Sequence, residues 1–157
     1  MTKVLVIDDE APIRLLCQVN LEAEGMQVLE ASDGELGLDA ARRELPDVIL
    51  LGVMMPRLDG WTVAERLRED ELTRDIPVIF LTARSKYRDR LRGLELGAVD
   101  YITKPFNPLE LPTRVEATLA RTSRGEREAL RAENVAAIER LIEKDPEGPD
   151  GPTEERT

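Results

Sequence analysis

The sequence contains no histidine and only one cysteine, Cys17, among its 157 residues. The absence of histidine excludes histidine kinases, histidine phosphotransfer proteins and sites that use imidazole as a metal ligand or general base. A lone cysteine in a predicted helix cannot form a disulfide within the chain, which favours a reducing compartment. The apolar run at residues 4–7 is too short for a signal peptide or a membrane span. We therefore expect a cytoplasmic protein with no membrane partner.

Aromatic residues and positive charges are also scarce. Only 3% of the residues are aromatic, so the core must consist of Leu, Val, Ile and Ala, which suits helices packed on a parallel sheet. The chain has 22 Lys and Arg against 32 Asp and Glu, a formal net charge of -10. A chain this acidic repels the phosphate backbone of nucleic acids. We therefore expect no direct nucleic-acid partner.

Short apolar runs alternate with helical patterns about every 25 residues, which is typical of βαβ units. The runs at residues 4–7, 48–51 and 78–81 are almost continuously apolar and indicate central strands with both faces covered. Residues 27–31 and 100–103 are more mixed and indicate edge strands. These patterns predict an α/β fold: a flavodoxin-like three-layer sandwich with five helices and a five-stranded parallel sheet in the order 2-1-3-4-5.

The composition changes near residue 123, where charges become dense and apolar residues sparse. We therefore predict a domain at residues 1–122, a charged helical extension at 123–144 and a disordered acidic tail at 145–157. The extension is interpreted as a continuation of the fifth helix that frays in solution, with a partner-binding helix as the alternative. Its narrow apolar stripe at helical spacing consists of Val135, Ile138, Leu141 and Ile142.

Polar residues and one glycine follow the predicted strands at the edge where ligands bind in open α/β sheets. Asp8 and Asp9 follow the first strand, Gly52 the third, Thr82 the fourth and Lys104 the fifth. Two adjacent carboxylates suit Mg²⁺, a hard cation that prefers oxygen ligands. A hydroxyl and an ammonium suit phosphoryl oxygens. The pattern therefore predicts one site for Mg²⁺ and a phosphoryl group.

Four motifs occur at separate positions in this chain: residues 46–60, Asp8-Asp9, Thr82 and Lys104-Pro105. Together they resemble the receiver domain of bacterial two-component response regulators, the CheY-like superfamily, from residue 3 to about residue 121. The resemblance implies roles by position: Asp8 and Asp9 as the acidic metal-binding pair, Met54 as a backbone-carbonyl metal contact, Thr82 as the switch hydroxyl, Tyr101 as the switch aromatic, Lys104 as the phosphoryl-contacting lysine, and Pro105 as the residue after a cis peptide bond.

Position 52 is where this chain departs from that family. The resemblance implies an aspartate there, which accepts the phosphoryl group, whereas Gly52 has no side chain to act as the nucleophile. We therefore expect a non-enzymatic, stand-alone pseudo-receiver of two-component phosphorelay signal transduction, with at most weak or vestigial Mg²⁺ binding. One alternative is an ordinary aspartate acceptor in which Gly52 is a substitution. Another is a Mg²⁺-dependent phosphatase-like enzyme with Asp8 as nucleophile, although the Asp-x-Asp spacing of such enzymes is missing.

A second predicted surface comprises the fourth helix, the fifth strand and the fifth helix. Its charged residues resemble those that form symmetric receiver dimers in the winged-helix subfamily of response regulators. We therefore expect a sensor histidine kinase, a downstream protein or a second copy of the chain as the partner. A solvated charged face is the alternative, because exposed ion pairs contribute only about 0 to 1 kcal/mol each. The residues concerned are Arg90, Asp100, Glu110, Arg114 and Arg121.

Overall fold

A computed structural model describes residues 1–83 and 86–146 of the chain. Strands and helices alternate along the receiver-like part of the sequence. The strands are β1 (Lys3–Ile7), β2 (Gln27–Ala31), β3 (Val48–Gly52), β4 (Val78–Thr82) and β5 (Asp100–Thr103). The α-helices are α1 (Ala11–Glu22), α2 (Gly34–Glu44), α3 (Gly60–Glu69), α4 (Tyr87–Glu95), α5 (Leu111–Ser123) and α6 (Arg127–Lys144), and a short 3-10 turn at Pro108–Glu110 precedes α5.

All five strands are parallel, in the order β2-β1-β3-β4-β5. Every residue of β3 and β4 is buried, as expected for central strands covered on both faces. Gly52 pairs with Leu81, and Thr82 pairs with Thr103, so the carboxyl ends of β3, β4 and β5 lie close together at one edge. The predicted flavodoxin-like sheet order and the strand positions are confirmed.

Two apolar clusters, one on each face of the sheet, make up the core. Alternate residues of β1 and β3 face opposite sides, because side chains in a strand alternate with a period of two. On one face the strands pack against α2 and α3, with Leu5, Ile7, Ile49, Leu51, Ala41, Val63 and Leu67 among the buried residues. On the other they pack against α1 and α5, with Val4, Val6, Val48, Leu50, Cys17, Leu21, Leu111 and Val115 among them.

The loop after β3 folds back tightly over the end of the strand. The backbone N–H of Gly60 donates to the carbonyl of Val53 at 2.8 Å. A β carbon on Gly60 would lie 2.0 Å from the carbonyl oxygen of Gly52, so only glycine allows this approach. The side chain of Asp59 then begins α3 by accepting a hydrogen bond from the Thr62 N–H at 2.8 Å. This loop therefore holds Gly52 and the residues that follow it in a fixed place.

The C-terminal extension differs from its prediction. Helix α5 ends at Ser123, and Gly125 takes a positive φ of 76°. The N–H of Gly125 donates to the Thr122 carbonyl and that of Glu126 to the Arg121 carbonyl, both at 3.0 Å, a Schellman motif that ends the helix. The chain turns back, and α6 packs against α4, β5 and α5. The prediction of a frayed continuation of the fifth helix is therefore wrong.

The predicted apolar stripe of α6 is only partly buried. Ile138 is fully buried, whereas Leu141 is 40% exposed. The predicted tail at residues 145–157 lies outside the described residues except for Asp145 and Pro146. Within the part of the chain that the structure describes, no helix is long and apolar enough to cross a membrane.

Candidate functional site

The residues predicted to converge at the carboxyl edge of the sheet do meet there. Asp8, directly after β1, is fully buried, and its Oδ2 atom lies 2.8 Å from Nζ of Lys104, directly after β5. The same ammonium group lies 3.1 Å from Oε1 of Glu10. The Oδ1 atom of Asp8 accepts a hydrogen bond from the Glu10 backbone N–H at 2.9 Å. Both oxygens of Asp8 therefore have partners within the chain.

The ammonium of Lys104 is held in its charged form. Burial lowers the pKa of Lys104, but the hydrogen bond and the charge of Asp8, followed by those of Glu10, outweigh burial and raise the pKa above its ordinary value. Lys104 thus supplies a positive charge to an otherwise acidic site at neutral pH. The Lys104-Pro105 peptide bond is cis, as the family resemblance implied.

Gly52 lies beside the Asp8 carboxylate. A β carbon built on Gly52 would lie 2.7 Å from Oδ2 of Asp8, 3.1 Å from Cγ of Asp8 and 3.4 Å from the carbonyl oxygen of Ile7. The Asp8 carboxylate therefore occupies part of the space that a side chain at position 52 would need. An aspartate at position 52 would require the Asp8 side chain to move, although Asp8 is tied to Lys104.

Three carboxylates form the one acidic cluster with metal-ligand geometry among residues 1–83 and 86–146. Asp8, Asp9 and Glu10 each offer one oxygen, and these oxygens lie within 4.8 Å of one another. Oxygen donors of this kind suit Mg²⁺, but the Lys104 ammonium already contacts two of the three carboxylates. The donor atoms therefore fit a hard cation, which would have to share or displace Lys104. Met54 lies in the loop after β3 with a side chain that is 61% exposed, and its carbonyl contact stays a prediction.

Glu10 is a site residue that the sequence analysis missed. It follows the Asp8-Asp9 pair directly, so the signal was a run of three acids rather than two. Its backbone N–H donates a hydrogen bond to Asp8, and its carboxylate pairs with the Lys104 ammonium. The prediction treated only the acidic pair as functional.

Thr82 and Tyr101 lie close together on neighbouring strands. Both line a cavity of about 10 Å³, which they share with Trp61 of α3 and Arg90 of α4. The Arg90 guanidinium carbon lies 5.2 Å from the centre of the Tyr101 ring and 5.5 Å from that of Tyr87. Burial raises the pKa of Tyr101, and the neighbouring Arg90 offsets part of this effect. The ring is thus half-buried beside Thr82, and the switch roles of both residues stay predictions.

Arg114, Asp100 and Arg121 of the second predicted surface form ion pairs within the chain. Nη2 of Arg114 lies 2.8 Å from Oδ2 of Asp100 and 3.0 Å from the carbonyl oxygen of Tyr101. Arg121 of α5 binds Glu133 of α6 with both ends of its guanidinium group, at 2.7 and 3.1 Å. Glu110 is exposed beside a cavity of about 500 Å³ that Arg114 and Asp100 also line.

Comparison with known proteins settles the family. The sequence pattern of the response regulator receiver domain matches residues 4–116. This chain belongs to that family. Among solved structures, the receiver resembles the receiver domain of the Francisella response regulator 1452, with 36% identity, a TM-score of 0.72 and coverage of 78% of this chain and 99% of that one. It also resembles the chemotaxis protein CheY4 of Vibrio cholerae, with 31% identity, a TM-score of 0.71 and coverage of 74% and 98%.

The receiver is also similar to longer transcriptional regulators. It is 50% identical over 120 residues to the alkaline phosphatase synthesis transcriptional regulatory protein PhoP of Bacillus subtilis, covering 76% of this chain and 49% of PhoP. It is 47% identical over 124 residues to the DNA-binding dual master transcriptional regulator RpaA of Synechocystis, covering 79% and 52%. A third relative, the phosphate regulon transcriptional regulatory protein PhoB of Pseudomonas aeruginosa, is 48% identical over 126 residues, with coverage of 80% and 55%.

These relatives correct one prediction. The net charge was taken to exclude a direct nucleic-acid partner, yet RpaA is described as DNA-binding, and PhoP and PhoB as transcriptional regulatory proteins. The chain spans about half the length of each of these relatives. The charge of a receiver domain does not determine what the other half of such a regulator binds, so the exclusion of nucleic acid was wrong.

Proposed function

We propose that this receiver domain acts in two-component signal transduction as a protein-interaction module with Gly52 in place of the phosphoacceptor. The observation that supports this most directly is the Asp8 carboxylate beside Gly52. Its Oδ2 atom lies 2.7 Å from where a β carbon at position 52 would stand and 2.8 Å from the Lys104 ammonium. In this proposal the Lys104 ammonium offsets the negative charge of Asp8 in a site that receives no phosphoryl group.

The neighbouring carboxylates are poor substitutes for a missing acceptor. A nucleophile in phosphoryl transfer needs an oxygen that is free to attack. Both oxygens of the buried Asp8 are already bound, by Lys104 and by the Glu10 N–H. Asp9 and Glu10 are exposed and belong to the same cluster that would hold the metal. The same engagement of Asp8 disfavours a phosphatase-like enzyme with Asp8 as its nucleophile.

Weak Mg²⁺ binding is part of the proposal. Asp8, Asp9 and Glu10 would hold the ion, which would balance their charge when bound. The Lys104 ammonium opposes this, because a second cation beside it meets like-charge repulsion. We therefore expect a dissociation constant in the millimolar range for Mg²⁺ at this site, since Mg²⁺ gives up its waters reluctantly.

The partners in this proposal are a sensor histidine kinase or a downstream protein. By analogy with RpaA, PhoP and PhoB, the pathway served would be the control of transcription. The contribution of the receiver itself would be a surface that another protein recognises, independent of the phosphorylation of position 52.

The test is labelling with acetyl phosphate in the presence of Mg²⁺, followed by intact mass spectrometry. Three proteins are compared: the unaltered chain, Gly52→Asp, and Gly52→Asn as a control of nearly equal size without a nucleophilic carboxylate. We expect one phosphoryl group on the Gly52→Asp protein alone. Stable labelling of the unaltered chain would show that another residue is the acceptor, and continuous hydrolysis of acetyl phosphate would show a phosphatase-like enzyme. Either result would overturn the proposal.

A further inference from the structure

Three arginine side chains converge at the amino edge of the sheet, opposite the edge that holds the acidic site. Arg68 lies in the last turn of α3, Arg74 in the loop before β4, and Arg127 at the start of α6. All three line one small cavity of about 10 Å³, together with Val78, the first residue of β4. They come from distant parts of the chain, so the fold itself brings their charges together.

Gly97, in the turn between α4 and β5, lies beside two of these guanidinium groups. Nη2 of Arg127 lies 3.5 Å from the Gly97 carbonyl oxygen. A β carbon built on Gly97 would lie 3.1 Å from Cδ of Arg68 and 3.5 Å from both Nε and Nη1 of Arg68. Two guanidinium groups therefore lie against the same residue. Like charges at such close range repel each other unless a negative group offsets them.

The loop between α3 and β4 fixes the position of Arg74. The hydroxyl of Thr73, which is buried, donates to the Leu67 carbonyl at 2.7 Å. The backbone N–H of Arg74 donates to the Asp70 carbonyl at 2.9 Å. These bonds hold the backbone of Arg74 against the end of α3, while its side chain is exposed. The Arg74 guanidinium is thus accessible to a ligand from solvent.

The positive charge of these three arginines is not neutralised by ion pairs. Within residues 1–83 and 86–146, no carboxylate forms a salt bridge with Arg68, Arg74 or Arg127, although neighbours such as Arg131 do have acidic partners. The Nε atom of Arg127 is buried and has no hydrogen-bond partner in the same part of the chain. A buried donor without a partner is costly, so this N–H is a candidate for a ligand contact.

Glu128 is the carboxylate on which these charges act most clearly. Its pKa is lowered first by its hydrogen bond to Arg131 and further by the charges of Arg127 and Arg68. Both oxygens of Glu128 accept from Nε of Arg131, at 3.0 and 3.1 Å. Since Glu128 is already paired with a fourth arginine, an excess of positive charge stays at the cluster in a chain whose net charge is -10.

We propose that Arg68, Arg74 and Arg127 form a binding site for a phosphoryl dianion, carried by a small molecule or by a phosphorylated side chain of a partner protein. Guanidinium groups bind phosphate through paired hydrogen bonds, and several of them match the charge of a dianion. A cavity of about 10 Å³ holds about one water, so it admits one oxygen of the ligand. The site lies at the opposite edge of the sheet from Gly52, so this inference goes beyond the proposed function and does not depend on it.

Titration of the full chain with inorganic phosphate, followed by ¹⁵N NMR, tests the site. We expect saturable shifts centred on the amides of Gly97 and Arg127. The double variant Arg68→Gln/Arg127→Gln should bind phosphate at least about ten-fold more weakly. The matched control is Arg66→Gln/Arg140→Gln, which removes two exposed charges from the same two helices and should change the affinity by less than about two-fold.

A short peptide with one phosphoserine, compared with its unphosphorylated form, distinguishes the two sources. Tighter binding of the phosphopeptide than of inorganic phosphate indicates a partner protein, and equal or weaker binding indicates a small molecule.

Three results would overturn the inference: shifts centred on Lys104 and Thr82, equal losses of affinity in the two double variants, or no saturable binding. Thermal melting checks that the Arg68→Gln/Arg127→Gln protein is folded. If it is not, Arg74→Gln is compared with Arg66→Gln, because both side chains are exposed, and the same results decide.

Discussion

At the scale of single residues, the Asp8–Lys104 pair is the feature that best explains the site. Asp8 is fully buried and the Lys104 side chain is only 13% exposed. A buried carboxylate without a counter-ion is costly, and removing one partner of a buried pair typically costs about 3–5 kcal/mol. Lys104 therefore stabilises this fold even when no phosphoryl group is contacted.

We predict that Lys104→Met lowers the free energy of unfolding by about 2–3 kcal/mol, less than a fully buried pair because Lys104 is partly exposed. Urea denaturation near neutral pH measures this loss. Lys3→Met is the matched control: Lys3 forms a partly exposed pair with Glu44 at 3.6 Å, and its loss should cost about 1 kcal/mol or less. Equal effects of the two substitutions would contradict the importance of the Asp8–Lys104 pair.

The stability difference between the unaltered protein and Lys104→Met should depend on pH in a definite direction. The pKa of Lys104 is raised in the folded protein above its ordinary 10.5. A raised pKa means that the stabilisation is fully present below 10.5 and is lost as the pH rises through the higher folded value. The stability gap between the unaltered protein and Lys104→Met should therefore stay constant from about pH 6 to pH 9 and narrow above 10.5.

At the scale of secondary-structure elements, the sequence predicted the sheet and the existence of a C-terminal helix, but not how that helix packs. Apolar runs such as residues 48–51 have few alternatives to a buried strand, and β3 spans Val48–Gly52. A helical extension was predicted there, but its packing back against the domain was not, because several contacts of α6 are made by polar side chains to the Leu94 and Val99 carbonyls. No apolar pattern indicates contacts of that kind. Gly125 was the available signal, since a glycine after a helix commonly ends it.

The turn at Gly125 leads to a prediction about α6. Gly125→Ala places a β carbon at a φ of 76°, which should cost about 1–2 kcal/mol and increase hydrogen exchange along Arg127–Lys144. Gly25→Ala is a matched control, because Gly25 has a φ of 84° and likewise has nothing within 4 Å of a built β carbon. It should cause a similar loss of stability without a selective increase of exchange in α6. Unchanged exchange in the Gly125→Ala protein would show that the turn does not hold α6 in place.

At the scale of the whole molecule, the convergence of distant segments was predictable, but the state of the site was not. Parallel strands bring their carboxyl ends to one edge, so the meeting of Asp8, Gly52 and Lys104 followed from the order of strands alone. The orientation of the Asp8 side chain depends on Lys104, Glu10 and the space that glycine leaves at position 52. Such side-chain packing has no signature in a sequence pattern.

The prediction from net charge that the protein has no nucleic-acid partner also failed. A net charge of -10 describes the average field of this chain. It does not describe the remaining half of regulators such as RpaA and PhoB, whose receivers are similar to this one. Composition therefore predicted that the core consists of aliphatic side chains, but it did not predict the kind of partner.

The most direct test of the central claim compares the stability of the unaltered chain and Gly52→Asp, with EDTA and with Mg²⁺. A third carboxylate beside Asp8 adds repulsion of up to roughly 4 kcal/mol at about 4 Å and an effective dielectric of about 20. Replacing glycine stabilises by only about 0.4–1 kcal/mol through the unfolded state. The variant should therefore be less stable in EDTA by about 1–3 kcal/mol.

Excess Mg²⁺ should reverse this order, because an ion that binds only the folded state stabilises it by mass action. We predict that saturating Mg²⁺ raises the unfolding free energy of Gly52→Asp by about 4 kcal/mol, which exceeds its deficit in EDTA, and that of the unaltered chain by less than about 0.5 kcal/mol. A Gly52→Asp protein that is the more stable of the two in EDTA, or an unaltered chain that gains as much from Mg²⁺, would contradict the proposal that Lys104 neutralises a receiver site in which Gly52 replaces the acceptor.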